Sequence, residues 1–309
     1  MHVAITIVGF RNKNDILSCL EALDHSTHTD FEVVICENGG RAAFAELAAV
    51  LPASLTNGQL VRALEAPRNL GYAGGVNSCL METPAAEAWW ILNPDTKPLP
   101  EALEVLVDRL RVGNCEAAGC TVHLASGQIQ SYGGRWSPWL ARGVSMGRGD
   151  PLGQPIDRAS IERTQNYLNG ASMLVGRAFL GAVGPMREDY FLYCEEVEWC
   201  LRAAAMGMKL GYASDAIVVH DQGTTTGAGK GFARLARMPI YLNERNRMLL
   251  TYDCFPAKLP IAAPLALLLL FVRAARSGGW RQFGYGFSGW LAGLLNRRRL
   301  PAWLKADLQ

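Results

Sequence analysis

A chain of 309 residues, half of them hydrophobic, with 19% charged residues and a net charge of +2, can bury a large core and carries no bulk field that would attract nucleic acid. Its eight cysteines include no CxxC pair and lie in apolar segments, which excludes a disulfide framework and points to buried thiols in a reducing compartment, the cytoplasm. The opening residues, MHVAITIVGF, have no basic n-region and an apolar run only one strand long, so they do not read as a signal peptide.

The first 125 residues alternate strand-like apolar runs with helical periodicity, the pattern of βαβ units and a largely parallel sheet. Residues 3–8 predict a buried strand, 15–23 a helix, 31–36 a second strand and 42–51 a helix with apolar residues at helical spacing. Residues 60–64 predict a third strand, 74–81 a helix, 89–92 a fourth strand, and 100–110 a helix with Pro100 near its first turn. From 125 to 166 Gly, Ser, Pro, Trp and Arg predominate, which predicts long loops able to cover a substrate. Regularity returns at NGASMLVGRAFL, a strand and a short helix. It continues in YFLYCEEVEWCLRAAAMG, a helix with Val197, Cys200, Leu201 and Ala204 on one face and Gly207 placed to end it. The run AIVVH is a strand, and the glycine-rich DQGTTTGAGKG after it has the composition of a lid.

The last eighty residues differ in character. Residues 259–272 are uncharged, but the run is shorter than the roughly 20 apolar residues of a spanning helix and holds two prolines, so it is expected to lie on a membrane rather than cross it. Beyond it Arg273, Arg276, Arg281, Arg297, Arg298, Arg299 and Lys305 face one acid, Asp307. They are interleaved with Trp280, Phe283, Tyr285, Trp290 and Trp303, a mixture that suits an anionic membrane surface.

Ligands of an open parallel sheet bind beyond the carboxyl ends of its strands. Those positions hold Phe10 and Asn12 after the first strand, Glu37 and Asn38 after the second, Arg68, Asn69, Gly71, Gly74 and Gly75 after the third, and Asn93 and Asp95 after the fourth. Acid, base, amide and bare backbone together suit a nucleotide, with an acid that reaches a diphosphate only through a cation. Taken singly each element has a plainer reading. GYAGG does not match GxGxxG, and Asp95 after a proline equally serves a turn or a helix cap. Glu195 and Glu196 equally serve as helix-start acids with Glu198 exposed, and a lone histidine such as His220 is usually structural. Together, an acid pair, a crevice acid and a histidine at a strand end make His220 a candidate metal ligand.

In order along the chain, IVGFRN, VICENGG, NLGYAGGVN, ILNPD and FLYCEEVEWCLRAAAMG resemble the motifs of the family 2 glycosyltransferases of GT-A fold, particularly the rhamnosyltransferase-like branch that builds bacterial polysaccharides. The resemblance covers about residues 3–223. It implies an α/β, Rossmann-like, mostly parallel sheet flanked by helices, with a nucleotide-sugar half (1–125), an acceptor and catalytic half (126–225) and a helical C-terminal extension (226–309). It implies donor binding by Phe10, Asn12, Glu37, Asn38, Arg68, Asn69, Gly71, Gly74, Gly75 and Asn93, with Asp95 as the surviving acid of a DxD-type metal motif and His220 as second ligand for Mg2+ or Mn2+. Glu196 becomes the general base of an inverting displacement, helped by Glu195, with Glu198, Trp199, Asn169 and Gly170 on the acceptor side.

The resemblance further implies a nucleotide-diphosphate sugar as donor, dTDP-rhamnose or a UDP-hexose, and a saccharide or lipid-linked acceptor. It is compatible with a homodimer and with peripheral attachment to the inner face of the cytoplasmic membrane. Two other readings remain open. A sugar-phosphate nucleotidyltransferase normally carries a glycine- and basic-rich N-terminal loop, which VGFRNKND lacks, and a non-catalytic scaffold needs none of Asp95, Glu196 and His220.

Overall fold

The computed structural model describes residues 1–220 and 231–307. In chain order the first half comprises β1 (Val3–Gly9), α1 (Lys13–Leu23), β2 (Phe31–Glu37), α2 (Arg41–Ala48), β3 (Val61–Glu65), α3 (Gly71–Glu82), β4 (Ala88–Leu92), β5 (Thr96–Pro98), α4 (Ala102–Arg111) and β6 (Ala117–His123). There follow β7 (Ile129–Ser131), β8 (Gly134–Ser137), β9 (Arg142–Ser145), α5 (Arg158–Thr164), β10 (Ser172–Gly176), α6 (Arg177–Val183), α7 (Glu195–Ala205) and β11 (Leu210–His220). Among the described residues the last helices are α8 (Arg237–Cys254), α9 (Leu259–Ser277), α10 (Trp280–Leu294) and α11 (Ala302–Asp307).

Strands β3, β2, β1 and β4 pair in parallel in that order. Every residue of β1 and β4 is buried, as central parallel strands covered by helices on both faces must be, and this is why they read as continuous apolar runs. The expectation of a mostly parallel sheet holds only for this half. Strand β10 pairs antiparallel with both β4 and β6, β6 runs parallel to β11, and β5 and β7 pair antiparallel with β11 and β6, so the nine-stranded sheet is mixed.

Helix α3 lies close on β1 because a Cβ at Gly75 would stand 2.6 Å from Val8 Cγ1. The stretch expected to be loops from 125 to 166 instead holds β7, the β8–β9 hairpin and α5, whose N-terminus is capped by the Asp157 carboxylate accepting from Ser160 N at 3.0 Å. The stretch expected to be a lid falls on residues 221–230, outside the described residues. In α7 the buried face is Val197, Trp199, Cys200 and Ala203, whereas Ala204 is exposed. Gly207, at φ 80°, ends the helix as expected.

The C-terminal helices pack on the sheet domain through α8, which is buried along most of its length. Its partner α10 presents glycines to it: a Cβ at Gly289 would lie 2.2 Å from Tyr241 O, and one at Gly293 would lie 2.2 Å from Arg245 O. Asp253 of α8 is bound by Arg298 Nη2 at 2.6 Å and Arg187 Nη1 at 2.8 Å, which ties the end of the chain to the segment before α7. The helical run Pro256–Ser277 has 22 residues and a mean hydropathy of 1.8, long and apolar enough to cross a membrane by length and composition, which is longer than the sequence pattern suggested. Its inner face of Ala262, Ala263, Ala266, Leu270 and Ala274 is buried.

Candidate active site

The carboxyl ends of β1, β2 and β4, the start of α3 and the first turn of α7 enclose a crevice of about 550 Å³. Phe10, Asn12, Asn38, Asn69, Gly71, Asn93, Asp95, Asn169, Gly170, Glu195, Glu196 and His220 line it, so most of the residues singled out from sequence meet in one place.

Asp95 and His220 meet through strand register. Strand β5 pairs antiparallel with β11 so that Thr96 faces His220, which sets the preceding residue, Asp95, beside the imidazole. His220 Nε2 lies 3.2 Å from Asp95 Oδ1, and Nδ1 lies 2.8 Å from Gln130 Oε1 of β7. An amide oxygen only accepts, so Nδ1 donates to Gln130 and holds the ring with Nε2 turned toward the carboxylate. A ring nitrogen and a carboxylate oxygen 3.2 Å apart are close enough to share a proton or to bind one cation together. The separation matches that of adjacent ligands on an octahedral ion with bonds of 2.0–2.1 Å, about 3 Å. Among the described residues no group of three or more His, Cys, Asp or Glu side chains could hold a metal. A cation here would therefore complete its shell with phosphate oxygens and water, as Mg2+ usually does.

Glu195 and Glu196 open α7, where free backbone N–H groups and the helix dipole favour carboxylates. Burial outweighs that help. It pushes Glu195 well above the usual carboxylate range, with the Glu196 charge adding to the effect, and burial raises Glu196 as well. Glu195 Oε2 is buried without a hydrogen-bond partner. Glu195 is the more deeply buried of the two, whereas Glu196 keeps partial access to the crevice. Gly170 makes room for that side chain, since a Cβ there would come within 3.2 Å of Glu196 Cγ. The Tyr72 hydroxyl donates to Gly170 O at 2.8 Å and fixes this wall.

Other expected site residues are placed elsewhere. Glu37 is buried and turned back, its Oε1 accepting from Arg11 N at 3.0 Å and Gly39 N at 2.7 Å, and it lines an adjoining hollow with Phe10 and Asn12. Arg68 is exposed and off the crevice wall. Gly74 and Gly75 are buried in α3, where they allow close packing on Leu70 and Val8 rather than approach of a ligand. Asn38 spends both ends of its amide on the turn into α3, with Nδ2 donating to Gly71 O at 2.9 Å and Oδ1 accepting from Leu70 N at 3.1 Å. Glu198 is not on an exposed or acceptor-facing side: it is buried and paired with Arg202, Nε to Oε1 at 2.9 Å. Trp199 is core, its Nε1 donating to Gly184 O at 2.8 Å and its ring edge-on to Phe179. The crevice also uses Gln130, Tyr72, Phe191 and Tyr193, which were not singled out. Tyr72 and the 191–193 stretch stood inside quoted motifs, whereas a single Gln in SGQIQS carries no signal.

The model of the family described as glycosyl transferase family 2 matches residues 5–168. The chain is 28% identical over 228 residues to N-acetylglucosaminyl-diphospho-decaprenol L-rhamnosyltransferase of Mycobacterium tuberculosis strain H37Rv, covering 67% of this chain and 72% of that one. It is 24% identical over 90 residues to a low-salt glycan biosynthesis hexosyltransferase of Haloferax volcanii, 29% of this chain and 28% of the relative. Its fold is similar to a mannosyltransferase from Pyrobaculum calidifontis solved with GDP-Man and Mn2+, with TM-score 0.57, 15% identity, and 96% and 88% of the two chains covered. It is also similar to S. aureus TarS 1-349 solved with UDP-GlcNAc, with TM-score 0.58, 12% identity, and 96% and 83% covered. At these identities the likenesses to solved structures speak to the fold alone.

Proposed function

The chain belongs to glycosyl transferase family 2, and from that premise we propose that it is an inverting glycosyltransferase that moves rhamnose from a nucleotide-diphosphate donor to a hydroxyl of a lipid-linked saccharide. The observation that carries this reading is the pairing of unlike carboxyl environments in one crevice. Asp95 beside His220 is built to face a cation and a diphosphate, while Glu196 is built to accept a proton.

The chemistry follows from the residues. An acceptor hydroxyl enters beside Glu196 and attacks the anomeric carbon of the donor. As the new C–O bond forms and the bond to the diphosphate oxygen breaks, the hydroxyl proton passes to the Glu196 carboxylate. Glu195, kept neutral, is a hydrogen-bond donor for a sugar or acceptor oxygen. Asp95 and His220 would hold a divalent ion, Mg2+ or Mn2+, which when bound supplies Lewis-acid neutralisation of the leaving group. The nucleoside is assigned to the hollow lined by Phe10, Asn12 and Glu37, next to the crevice.

Rhamnose and the lipid-linked acceptor are supported by the name of the mycobacterial relative. The acceptor class is also supported by the outward face of the C-terminal hairpin. Ile261, Leu268 and Phe271 of α9, Trp280, Phe287 and Leu291 of α10 and Leu295 just past its end are exposed at helical spacing, and Phe271 and Trp280 meet edge to face at 5.6 Å. With Arg273, Arg276 and Arg281 exposed beside them, this face suits an anionic bilayer, which would hold the protein on the inner surface of the cytoplasmic membrane.

The test is turnover of dTDP-rhamnose and UDP-hexoses by the full chain, with the product anomer read by NMR and Glu196→Gln alongside. Loss of about 10²–10⁴ in kcat with nucleotide affinity kept supports the base. Retention of the donor's anomeric configuration would exclude direct displacement.

A further inference from the structure

Glu196 serves as a base only if the first turn of α7 points into the crevice, and the chain that leads into that turn is strained. Phe191, Tyr193 and Cys194 have φ of 69°, 75° and 68°. At Phe191 ψ is −57°, and Leu192 N donates back to Tyr190 O at 2.9 Å, a tight three-residue turn of the strained kind. None of the three is glycine, so the conformation persists only where the surroundings over-determine it.

Those surroundings come mainly from two neighbouring residues of α8, Arg245 and Asn246, both fully buried. Asn246 Nδ2 lies 2.9 Å from Tyr190 O, 2.8 Å from Leu192 O and 2.8 Å from Tyr193 O. Arg245 Nη2 donates to Tyr190 O at 2.8 Å and to Asp189 O at 3.3 Å. Its Nε donates to Asn246 Oδ1 at 2.8 Å, which fixes the end of the amide that faces the loop. The Phe191 carbonyl is taken by Tyr72 N at 2.7 Å. Every carbonyl from Asp189 to Tyr193 is thus bound from outside the loop. Helix α8 is itself backed by Gly293 of α10, seated on Arg245 O.

We infer that Asn246, oriented by Arg245, is a positioning residue that acts through the carbonyls of Tyr190, Leu192 and Tyr193 to aim Glu196 at the acceptor hydroxyl. The inference rests on the reading of Glu196 as the base. It requires an amide: a carboxylate of the same shape offers no N–H and would set a negative charge against three carbonyl oxygens.

The experiment compares Asn246→Ser, Asn246→Asp and Glu196→Gln in the full chain. Turnover of the nucleotide sugar used by the wild type, nucleoside diphosphate affinity and the pH profile are measured on each. A misaimed base costs kcat about 100-fold, while nucleotide affinity stays within about threefold. The acidic limb of kcat/KM also moves. Glu196 is faced by Glu195, Cys194 and Cys200 on its own segment, by Tyr72 from α3 and by Tyr167. Burial raises its pKa, so a loosened loop that admits water shifts the limb to lower pH, which general destabilisation would not do. If Glu196→Gln is inactive but both Asn246 variants keep wild-type kcat and an unmoved limb, the positioning role is overturned and the base reading stands. If Glu196→Gln keeps full turnover, both fall. If neither Asn246 variant folds, the residue holds the fold as a whole and the positioning role is likewise overturned.

Discussion

His220 Nε2 and Asp95 Oδ1 face each other at 3.2 Å with the other ring nitrogen already committed to Gln130. Removing Asp95 as Asp95→Ala is expected to abolish the metal-dependent part of nucleoside diphosphate binding. Gln130→Leu leaves Asp95 and His220 in place but frees the ring to turn, and if they hold the ion it is expected to weaken Mn2+ about 10-fold or more. Titration of Mn2+ by EPR, with the nucleotide present, checks both. Equal Mn2+ affinity in wild type and Asp95→Ala would remove the pair from the metal site.

Glu195 makes stability depend on pH in a stated direction. Its folded-state pKa is raised by burial and by the Glu196 charge, so the folded chain holds its proton more tightly than the unfolded chain. That contribution is complete below the ordinary glutamate range and is lost as pH rises through the raised value. Glu195→Gln, neutral at every pH, is expected to flatten the decline and to raise the unfolding midpoint at pH 8 by about 2 °C, the shift that 1 kcal/mol gives in a chain of a few hundred residues. Thermal scans between pH 5 and pH 9 read it, and parallel curves for the two proteins would refute it.

Two glycines with similar φ separate strain from collision. Gly40 at φ 85° has open space where a Cβ would go, whereas at Gly71, φ 74°, that atom would lie 2.3 Å from Phe191 O. Gly40→Ala is expected to cost about 1–3 kcal/mol, the penalty of a backbone region (φ 85°, ψ 176°) essentially restricted to glycine. Gly71→Ala adds an overpacking cost of about 1–3 kcal/mol and displaces the loop before α7. Urea unfolding should therefore rank them clearly, and turnover should fall only in the second. Equal costs would show that the contact at Phe191 yields freely.

The exposed stripes of α9 and α10 should bind vesicles that contain phosphatidylglycerol more strongly than purely zwitterionic ones, with attraction that weakens as salt rises. Phe271→Ser with Trp280→Ser removes the apolar part and is expected to abolish flotation while soluble turnover persists. Flotation that survives the double substitution would move the contact to another face.

How much could be read in advance followed bulk and period. Strands β1, β2 and β4 are legible as mainly apolar, β-branched or aromatic runs, whereas β6, AAGCTVH, has little β-branched bulk and gains its strand from β10 and β11 on either side. The β8–β9 hairpin was hidden by Gly, Ser and Arg. Buried charge misleads: Glu198 looked exposed although its partner Arg202 lies one helical turn away, and Glu37, at the end of β2, looked like a ligand-binding acid although it accepts from backbone N–H groups. Asn246, in ERNR of α8, carries no motif of its own. Its three carbonyl partners lie more than fifty residues earlier, beyond the reach of any local pattern.

The seam at Gly289 and Gly293, where α10 rests on the backbone of α8 with no side chain between, bears on how the protein can be handled at the bench. Cutting the chain after α8 is the obvious way to shed its oily helices for a detergent-free preparation. The cut would also strip the ridge against which Tyr241 and Arg245 are braced, and would discard Arg298, which holds Asp253. Solubility is better sought by changing the outward stripes one residue at a time and leaving the glycine seam whole.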